Sequence, residues 1–231
     1  MKTLVEVVAR RGPDGGTVLP VLQGSGQLAA RRTGERRIHL VSTAFGPLGG
    51  DVAVVRLHIE AGARLEVCSV AAAVCMPSQE PAPSSAELYA EVADGAQLDL
   101  VLEPMIVAAG AEHRSVTEIV LARAARLRYT EQVLLGRHAD VPGCWRGTTR
   151  IVREGRPLLH TTVDLGPGSP MWRAPTTPRA YATDLVLDNA TAASRAGQDA
   201  LLLPLPGGSV STAWGQRLED VLARITRLTT S

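Results

Sequence analysis

A short phrase of strand, tight turn and strand recurs along this sequence and constrains the fold more than any other feature. Its first copy follows a turn-rich Gly-Pro-Leu-Gly-Gly stretch and runs from Asp51 to Glu60, with apolar residues at every second position. That period of two is typical of a half-buried β-strand. A Gly-Ala turn follows, and another alternating segment begins at Leu65. The turn centres of four copies, spaced by roughly thirty residues, are Gly62, Gly95, Ala124 and a fainter Gly155.

The spacing of the copies predicts a repeat architecture. Each unit is too small to bury a hydrophobic face alone, so stacking the units would build the core. We therefore predict an all-β (mainly β) fold of stacked, β-helix-like layers, in which Gly62, Gly95 and Gly155 occupy equivalent turns. A β-sandwich or barrel of unrelated hairpins stays open as the alternative, because Gly-Ala turns are common there too.

The segments around the repeats complete the predicted order of elements. The repeats occupy residues 51–165, and prolines predict loops over residues 76–85 and 166–178. With 231 residues, the whole chain, 1–231, fits one domain, because all-β folds of this length commonly do not divide. Alternation predicts further strands over residues 4–10, 17–22, 27–30, 38–41 and 201–205.

Towards the C-terminus the hydrophobic period changes from that of a strand to that of a helix. Residues 214–228 follow the spacing of an amphipathic helix, and Ser211 and Thr212 are suitable N-terminal caps. The spacing of residues 184–197 is compatible with a second helix, so we expect one or two C-terminal helices. The apolar face of the longer helix consists of Leu218, Val221, Leu222, Ile225 and Leu228.

Charge, hydropathy and cysteine content exclude several classes of partner. The formal net charge is +1, so no bulk field attracts the chain to nucleic acid or to a membrane surface. No apolar run approaches the roughly twenty residues of a membrane-spanning helix. The N-terminal segment has no convincing signal-peptide cleavage site, and the cysteines Cys68, Cys75 and Cys144 have no disulfide-framework spacing. We therefore expect a protein of the reducing cytoplasm.

The common catalytic signatures are absent from the sequence. There is no P-loop, nucleophile elbow, HExxH, CxxC or GxGxxG motif. A cysteine–histidine pair that meets only in space stays open, as does a metal site built from Cys68, Cys75 and a histidine. The histidines stand singly, at His39, His58, His113, His138 and His160.

Glu131 is the acidic residue in the most unusual position. Strand alternation places it on an apolar face, between Tyr129 and Val133. An isolated carboxylate is costly there unless it is paired or hydrated. Glu131 therefore lines a polar channel, pairs with a buried arginine such as Arg137, or is turned outward by a local bulge. Asp51 is similarly ambiguous, because a position after two glycines also suits a residue that closes a turn.

The ordered succession of these motifs resembles the urease accessory protein family UreD, called UreH in some bacteria. The similarity extends from about residue 16 to residue 165, and the C-terminal part matches more loosely. The motifs that carry it are GPLGGD at 46–51, AGARL at 61–65, DGAQL at 94–98, EPMI at 103–106, AGA at 109–111 and EQVLLGR at 131–137.

The resemblance implies a non-enzymatic protein with a β-helical fold and few helices. It implies binding to a UreF-like protein, which recruits a UreG-like GTPase, and docking of the assembly on the urease apoprotein to help load nickel. A polar tunnel is a proposed nickel route in this family, so Glu131 and Asp51 become candidate residues of a transient nickel path. No tightly bound cofactor is expected. Oxygen ligands release such an ion more readily than imidazole or thiolate ligands do.

An enzyme with stacked β-layers, acting on saccharide or ester substrates, is the competing hypothesis. Such an enzyme usually needs clustered carboxylates and an aromatic groove that stacks sugar rings. Aromatic residues make up only 3% of this chain, which argues against that alternative.

Overall fold

The computed structural model describes residues 1–79, 82–137, 140–170, 172, 177–190 and 192–230. In these parts of the chain it contains eighteen β-strands and one helix, so the predicted all-β class is confirmed. The first nine strands are β1 (Lys2–Arg11), β2 (Thr17–Ser25), β3 (Leu28–Arg32), β4 (Arg37–Ser42), β5 (Val52–Ile59), β6 (Arg64–Ser69), β7 (Ala73–Cys75), β8 (Ser84–Val92) and β9 (Gln97–Val101). The remaining elements are β10 (Met105–Val107), β11 (Glu112–Leu121), β12 (Arg126–Leu135), β13 (Cys144–Arg153), β14 (Arg156–Leu165), β15 (Ala180–Leu187), β16 (Arg195–Gly197), β17 (Ala200–Leu205), β18 (Gly208–Gly215) and α1 (Leu218–Thr230).

The strands form two β-sheets that face each other across a shared core. Sheet A contains seven strands in the order β14-β13-β11-β8-β5-β1-β2. Sheet B contains eleven strands, most of them in the order β16-β17-β18-β15-β12-β9-β6-β4-β3, with β7 and β10 added beside the end of β12. The central neighbours β5-β8-β11 and β6-β9-β12 are parallel, as stacked layers require, whereas the outermost pairs are antiparallel.

Three layers of the predicted repeat are present, namely β5–β6, β8–β9 and β11–β12. In each layer a tight turn carries the chain from sheet A to sheet B. Gly62 and Gly95 occupy equivalent turn positions with φ of 68° and 66°, where glycine has no Cβ penalty. The next residue in each turn is a buried alanine, at Ala63, Ala96 and Ala125. The Gly-Ala pattern therefore combines a backbone requirement with a small side chain that fits inside the stack.

The prediction that Gly155 marks a fourth equivalent turn is wrong. Gly155 lies in a two-residue β-hairpin that joins β13 to β14 within sheet A. Both hairpin residues, Glu154 and Gly155, have positive φ, at 49° and 75°. That combination matches the twist of two antiparallel strands joined by two residues. The chain therefore returns along sheet A instead of crossing to sheet B, and the stacked layers end there.

The sheet-B half of the first two layers is interrupted. Residues 70–72 separate β6 from β7, and residues 102–104 separate β9 from β10. Pro104 cannot donate a ladder hydrogen bond. By contrast, β12 is continuous over ten residues, and its two halves pair with β9 and β10. The two interruptions lie side by side and border an internal cavity described below.

The main hydrophobic core lies between the sheets and is aliphatic apart from Tyr129. Complete burial of one aliphatic side chain stabilises a fold by about 1.5–3 kcal/mol. The largest fully buried side chains of this core include Ile59, Leu65, Leu98, Leu100, Ile119 and Leu121.

The C-terminal helix is confirmed but begins later than predicted. Ser211 and Thr212 do not cap it, because residues 208–215 form β18, which pairs with β15 and β17. Ladder hydrogen bonds on both sides of β18 outweigh a weak local helix preference. None of the described residues belongs to a helix that is long and apolar enough to cross a membrane. Helix α1 packs on the outer face of sheet B through Val221, Ile225 and Leu228.

The prediction of a second helix over residues 184–197 is wrong, because none of the described residues in that range is helical. Residues up to Leu187 belong to β15, which pairs with β12 and β18, and residues 195–197 form β16. Tertiary pairing again overrides local propensity. The predicted loops over residues 76–85 and 166–178 lie partly outside the described residues. Their described remainder is irregular apart from the start of β8 and one bridge at Met76. His138 lies outside the described residues altogether.

Candidate functional site

Two cavities lie between sheets A and B and share two wall residues on β12. Cavity 1 has a volume of about 320 Å³, and cavity 2 has a volume of about 210 Å³. Tyr129 and Glu131 line both of them. The wall of cavity 1 also includes Val55, Val70, Leu88, His113, Ser115 and Thr117. The wall of cavity 2 also includes Thr149, Thr161, Tyr181, Thr183, Leu203 and Thr212.

Each cavity has an exposed residue in its wall. Val70, in the interruption between β6 and β7, lines cavity 1 and is 62% exposed. Leu203, on β17, lines cavity 2 and is 48% exposed. The two cavities therefore form a neighbouring pair, with Glu131 in their shared wall and one exposed residue in each lining. We call this pair of cavities the interior path.

Strand alternation on β12 points Glu131 inward, as the sequence predicts. Leu127, Val133 and Leu135 are buried on the same face. β12 pairs with β15 in continuous register through Glu131, so a bulge does not turn the carboxylate outward. Glu131 lies deep in the protein and yet keeps partial accessibility, because it faces the cavities. Of the three alternatives, the structure favours a cavity-lining carboxylate.

The interior position of Glu131 changes its acid–base behaviour. Burial raises the pKa of Glu131 to about 7, although a hydrogen bond from Tyr129 opposes the shift. Burial first, and the Glu131 carboxylate second, raise the pKa of Tyr129 and of Tyr181. Near neutral pH the Glu131 carboxyl group is therefore charged in part of the molecules and neutral in the rest. Such a group can attract a cation without holding a permanent charge in the core.

The prediction that Glu131 pairs with a buried arginine is wrong for Arg137. The guanidinium of Arg137 is exposed, and its Nε donates to Asp140 Oδ2 at 2.8 Å. Within the described part of the chain, none of the ion pairs includes Glu131. The carboxylate therefore has no described cationic partner that would hold it in a structural role.

A buried histidine, not distinguished from the others in the sequence, lies in the wall of cavity 1. His113 is 1% exposed, and its Nδ1 lies 2.8 Å from Ser84 Oγ. Ser84 Oγ lies 3.1 Å from Cys75 Sγ. Within the described part of the chain, Nε2 of His113 has no hydrogen-bond partner. Burial lowers the pKa of His113 to about 4, so the ring is neutral at pH 7. The period-two pattern of His113, Ser115 and Thr117 is the sequence signal that could have found it.

Asp51 serves a different part of the structure. Its carboxylate accepts hydrogen bonds from Leu48 N–H at 2.9 Å and from Gln27 Nε2 at 2.7 Å, and it pairs with the Met1 amino group. Burial raises the pKa of Asp51, but these three donors together outweigh burial and hold the pKa below its ordinary value. Asp51 lines neither cavity 1 nor cavity 2. The structure therefore does not bring Asp51 and Glu131 together.

Cys68 and Cys75, the two cysteines of the metal site left open by the sequence, contact different partners. Cys68 Sγ donates to Glu66 Oε1 at 3.6 Å, whereas Cys75 is fully buried against Ser84. Among the residues that the structure describes, no group of three or more His, Cys, Asp or Glu side chains is arranged to hold a metal ion. An ion inside the cavities would therefore rely on one or two described protein ligands and on water.

Comparison with known proteins assigns the chain to a family. A family model described as the UreD urease accessory protein matches residues 4–218. A urease accessory protein UreD of Streptomyces coelicolor is 39% identical over 174 residues, covering 74% of this chain and 68% of that protein. The UreD protein of Frankia alni is 37% identical over 217 residues, covering 83% and 72% of the two chains. That of Parafrankia sp. is 36% identical over 228 residues, covering 85% and 77%. The chain therefore belongs to the UreD urease accessory protein family.

Proposed function

We propose that this chain is a non-enzymatic scaffold and metallochaperone of urease maturation, which gives Ni²⁺ a passage along the interior path towards the urease apoprotein. One observation carries the proposal: Glu131, a carboxylate with no described cationic partner, lies where cavity 1 and cavity 2 share their wall. The relatives are named urease accessory proteins, and nickel is the cargo that the family resemblance implies.

The chemistry of the path suits transit better than storage. A single carboxylate supplies hard oxygen ligands, which hold Ni²⁺ less tightly than a set of imidazoles or thiolates would. The absence of a cluster of three ligands among the described residues has the same consequence, because water must complete the coordination of the ion. Threonine hydroxyl groups in the wall of cavity 2, such as those of Thr161 and Thr183, can hydrogen-bond to that water.

The scaffold would work in a complex. We propose that it binds a UreF-like protein, that a UreG-like GTPase joins through that partner, and that the assembly docks on the urease apoprotein in the cytoplasm. Asp51 remains a predicted residue of the nickel path. Its occupied carboxylate oxygens favour the role of closing the turn before β5.

A saccharide- or ester-cleaving enzyme is not favoured. Of the described aromatic residues, Tyr129 and Tyr181 line the two cavities, and both rings are buried. Glu87 stands in the wall of cavity 1, but its carboxylate accepts a hydrogen bond from Tyr89 in an exposed position. Glu103 also lines cavity 1. Among the described residues, the cavities lack an exposed aromatic surface on which sugar rings could stack.

The test is urease activation with a Glu131→Gln variant, assembled with the UreF-like and UreG-like proteins, urease apoprotein, bicarbonate, GTP and limiting Ni²⁺. We expect slower activation with normal complex formation, because the amide keeps the volume of the side chain but loses the anionic oxygen. The control is Glu91→Gln, whose side chain is 72% exposed, and it should activate urease like the unmodified protein. Unchanged activation by Glu131→Gln would refute the proposal for this residue.

A further inference from the structure

We propose that Nε2 of His113 is an imidazole ligand for a divalent transition-metal ion in cavity 1, one step along the interior path from Glu131. The inference rests on the proposed passage of Ni²⁺ and adds to it a second ligand and a basis for metal selectivity. It begins from the buried Nε2 of His113, which has no hydrogen-bond partner among the described residues and belongs to a side chain in the wall of cavity 1.

The hydrogen bonds around Ser84 assign the free lone pair of His113 to Nε2. The Ser84 hydroxyl lies 3.4 Å from the carbonyl oxygen of Glu112 and can donate only one hydrogen. If it donates to that carbonyl, Nδ1–H of His113 donates to Ser84 Oγ, and Nε2 carries a lone pair. The reverse assignment leaves a buried N–H with no acceptor and removes a donor from Glu112, which is the costlier arrangement. Nε2 therefore carries the lone pair that a metal ion would bind.

The orientation of the ring is fixed from the other side of the imidazole. In metal sites, a ligating histidine usually donates its second N–H to an oxygen, which sets the tautomer and the ring position. Ser84 supplies that oxygen here, and it is the register partner of His113 in the parallel β8–β11 pair. Cys75 lies behind Ser84 and is itself fully buried. The ring is thus held by backbone pairing, not by a flexible loop.

Strand register locates His113 relative to Glu131. Tyr129 on β12 is hydrogen-bonded to Thr117 on β11 across the two sheets. Two residues farther from the layer turn, Glu131 on β12 lies opposite Ser115 on β11. His113 lies two residues beyond Ser115 on β11. One such step spans about 7 Å. The carboxylate and the imidazole therefore act as successive ligands for a hydrated ion, not as one tight chelate.

The two ligand types differ in what they select. A carboxylate with water accepts Mg²⁺ and Ca²⁺ as well as Ni²⁺, whereas an imidazole ligand favours Ni²⁺ and Zn²⁺ over Mg²⁺ and Ca²⁺. Because the ring of His113 is neutral at pH 7, it can bind without first losing a proton. A lone imidazole completed by water is also weak enough to release its ion. His113 would therefore discriminate against Mg²⁺ without trapping Ni²⁺.

The experiment uses the tag-free chain in its complex with the UreF-like partner, with one equivalent of Ni²⁺ as the probe. A reference variant replaces His39, His58, His138 and His160 with glutamine, so that His113 is the only histidine of this chain. The UreF-like partner alone, with the same Ni²⁺, supplies the background. X-ray absorption at the nickel edge should then show imidazole scattering in the reference complex above that background.

Adding His113→Gln to the reference variant should abolish this scattering. It should also weaken Ni²⁺ binding about ten-fold or more while leaving Mg²⁺ binding unchanged. Ser84→Ala keeps the imidazole but removes its Nδ1 partner, and should weaken Ni²⁺ binding by about ten-fold with smaller structural risk. Circular dichroism melting curves check that each variant is folded. If His113→Gln does not fold, the reference spectrum and Ser84→Ala decide the outcome.

The result that overturns the inference is a reference complex whose nickel spectrum shows no imidazole above background. Equal Ni²⁺ affinity in the reference variant and in a folded His113→Gln variant would overturn it as well. A failure of the proposed function can be distinguished from a failure of this inference. In that case the Glu131→Gln variant would activate urease normally, whatever the nickel spectrum shows for His113. If Glu131→Gln slows activation while the spectrum lacks imidazole, the interior path stands and the role of His113 is wrong.

Discussion

The hydroxyl groups of Tyr129 on β12 and Thr117 on β11 are hydrogen-bonded at 3.3 Å, and this contact joins the two sheets beside Glu131. Tyr129 is 3% exposed, so its hydroxyl depends on protein partners for hydrogen bonding. This contact sets which residues of β11 face Glu131 across cavity 1. Replacing the hydroxyl therefore tests both the stability of the junction and the environment of the carboxyl group.

Tyr129→Phe should lower the free energy of unfolding by about 1 kcal/mol, because Thr117 loses its buried partner while the ring still fills its space. Urea denaturation followed by circular dichroism measures the loss. The control is Tyr89→Phe, since the Tyr89 hydroxyl bonds to Glu87 in an exposed position. It should change stability by less than about 0.5 kcal/mol. Equal effects of the two substitutions would contradict the role assigned to Tyr129.

Glu131→Gln should change the pH dependence of stability in the metal-free protein. The pKa of Glu131 is raised from 4.5 to about 7, so the native state holds its proton more tightly than the unfolded state does. The associated stability is complete below pH 4.5 and is lost as the pH rises through 7. At pH 8 the variant should therefore be more stable than the unmodified protein, by up to about 3 kcal/mol. At pH 4 the two should be nearly equal.

His113 changes the stability of the protein with pH in the opposite direction to Glu131. Its pKa is lowered to about 4, so stability falls as the pH drops below 6.5, the ordinary histidine value. Because both proteins contain His113, the difference between them at each pH isolates Glu131. Thermal or urea unfolding from pH 4 to pH 8 gives that difference. A variant that is less stable at pH 8 would indicate a cationic partner that the described contacts do not contain.

Asp51→Asn should destabilise the protein by about 1–3 kcal/mol at pH 7, because the amide cannot accept every hydrogen bond that the carboxylate accepts. The pKa of Asp51 is held below its ordinary value. The destabilisation should therefore shrink as the pH falls through that lowered pKa. Asp14→Asn is the exposed control, since the Asp14 carboxylate accepts a hydrogen bond from Gly16 N–H in an exposed turn.

Activation assays separate the two roles considered for Asp51. If Asp51 only closes the turn before β5, urease activation per folded molecule should match that of the unmodified protein. A stable Asp51→Asn protein with slow activation would instead restore Asp51 to the nickel path.

Gly95→Ala should cost about 1 kcal/mol of stability through the backbone alone. The φ of Gly95 is 66°, and apart from its two chain neighbours no described residue has an atom within 4 Å of an added Cβ, so steric overlap does not contribute. Gly197→Ala is the control, because that glycine also has open space but lies outside the positive-φ region. Chemical denaturation should show a loss for Gly95→Ala and almost none for Gly197→Ala. No difference between the two would contradict the turn geometry of the layers.

The sequence by itself determined the elements whose signals are local. Period-two alternation and the Gly-Ala turns predicted the three stacked layers, because a strand fixes which side each residue faces and a tight turn fixes where φ must be positive. The same alternation predicted that Glu131 points inward. These properties depend on neighbours a few residues away, so they can be found without knowing the fold.

Tertiary structure alone decided which strands pair with each other and which side chains come into contact. The turns at Gly95 and Gly155 look alike in sequence, yet one crosses between sheets and the other closes a hairpin. Residues 208–215 became a strand because β15 and β17 pair with them on both sides. The alignment of His113 with Ser84 and Cys75 depends on strands far apart in the chain. Pairing, burial and cavity walls are non-local, and a local pattern does not contain them.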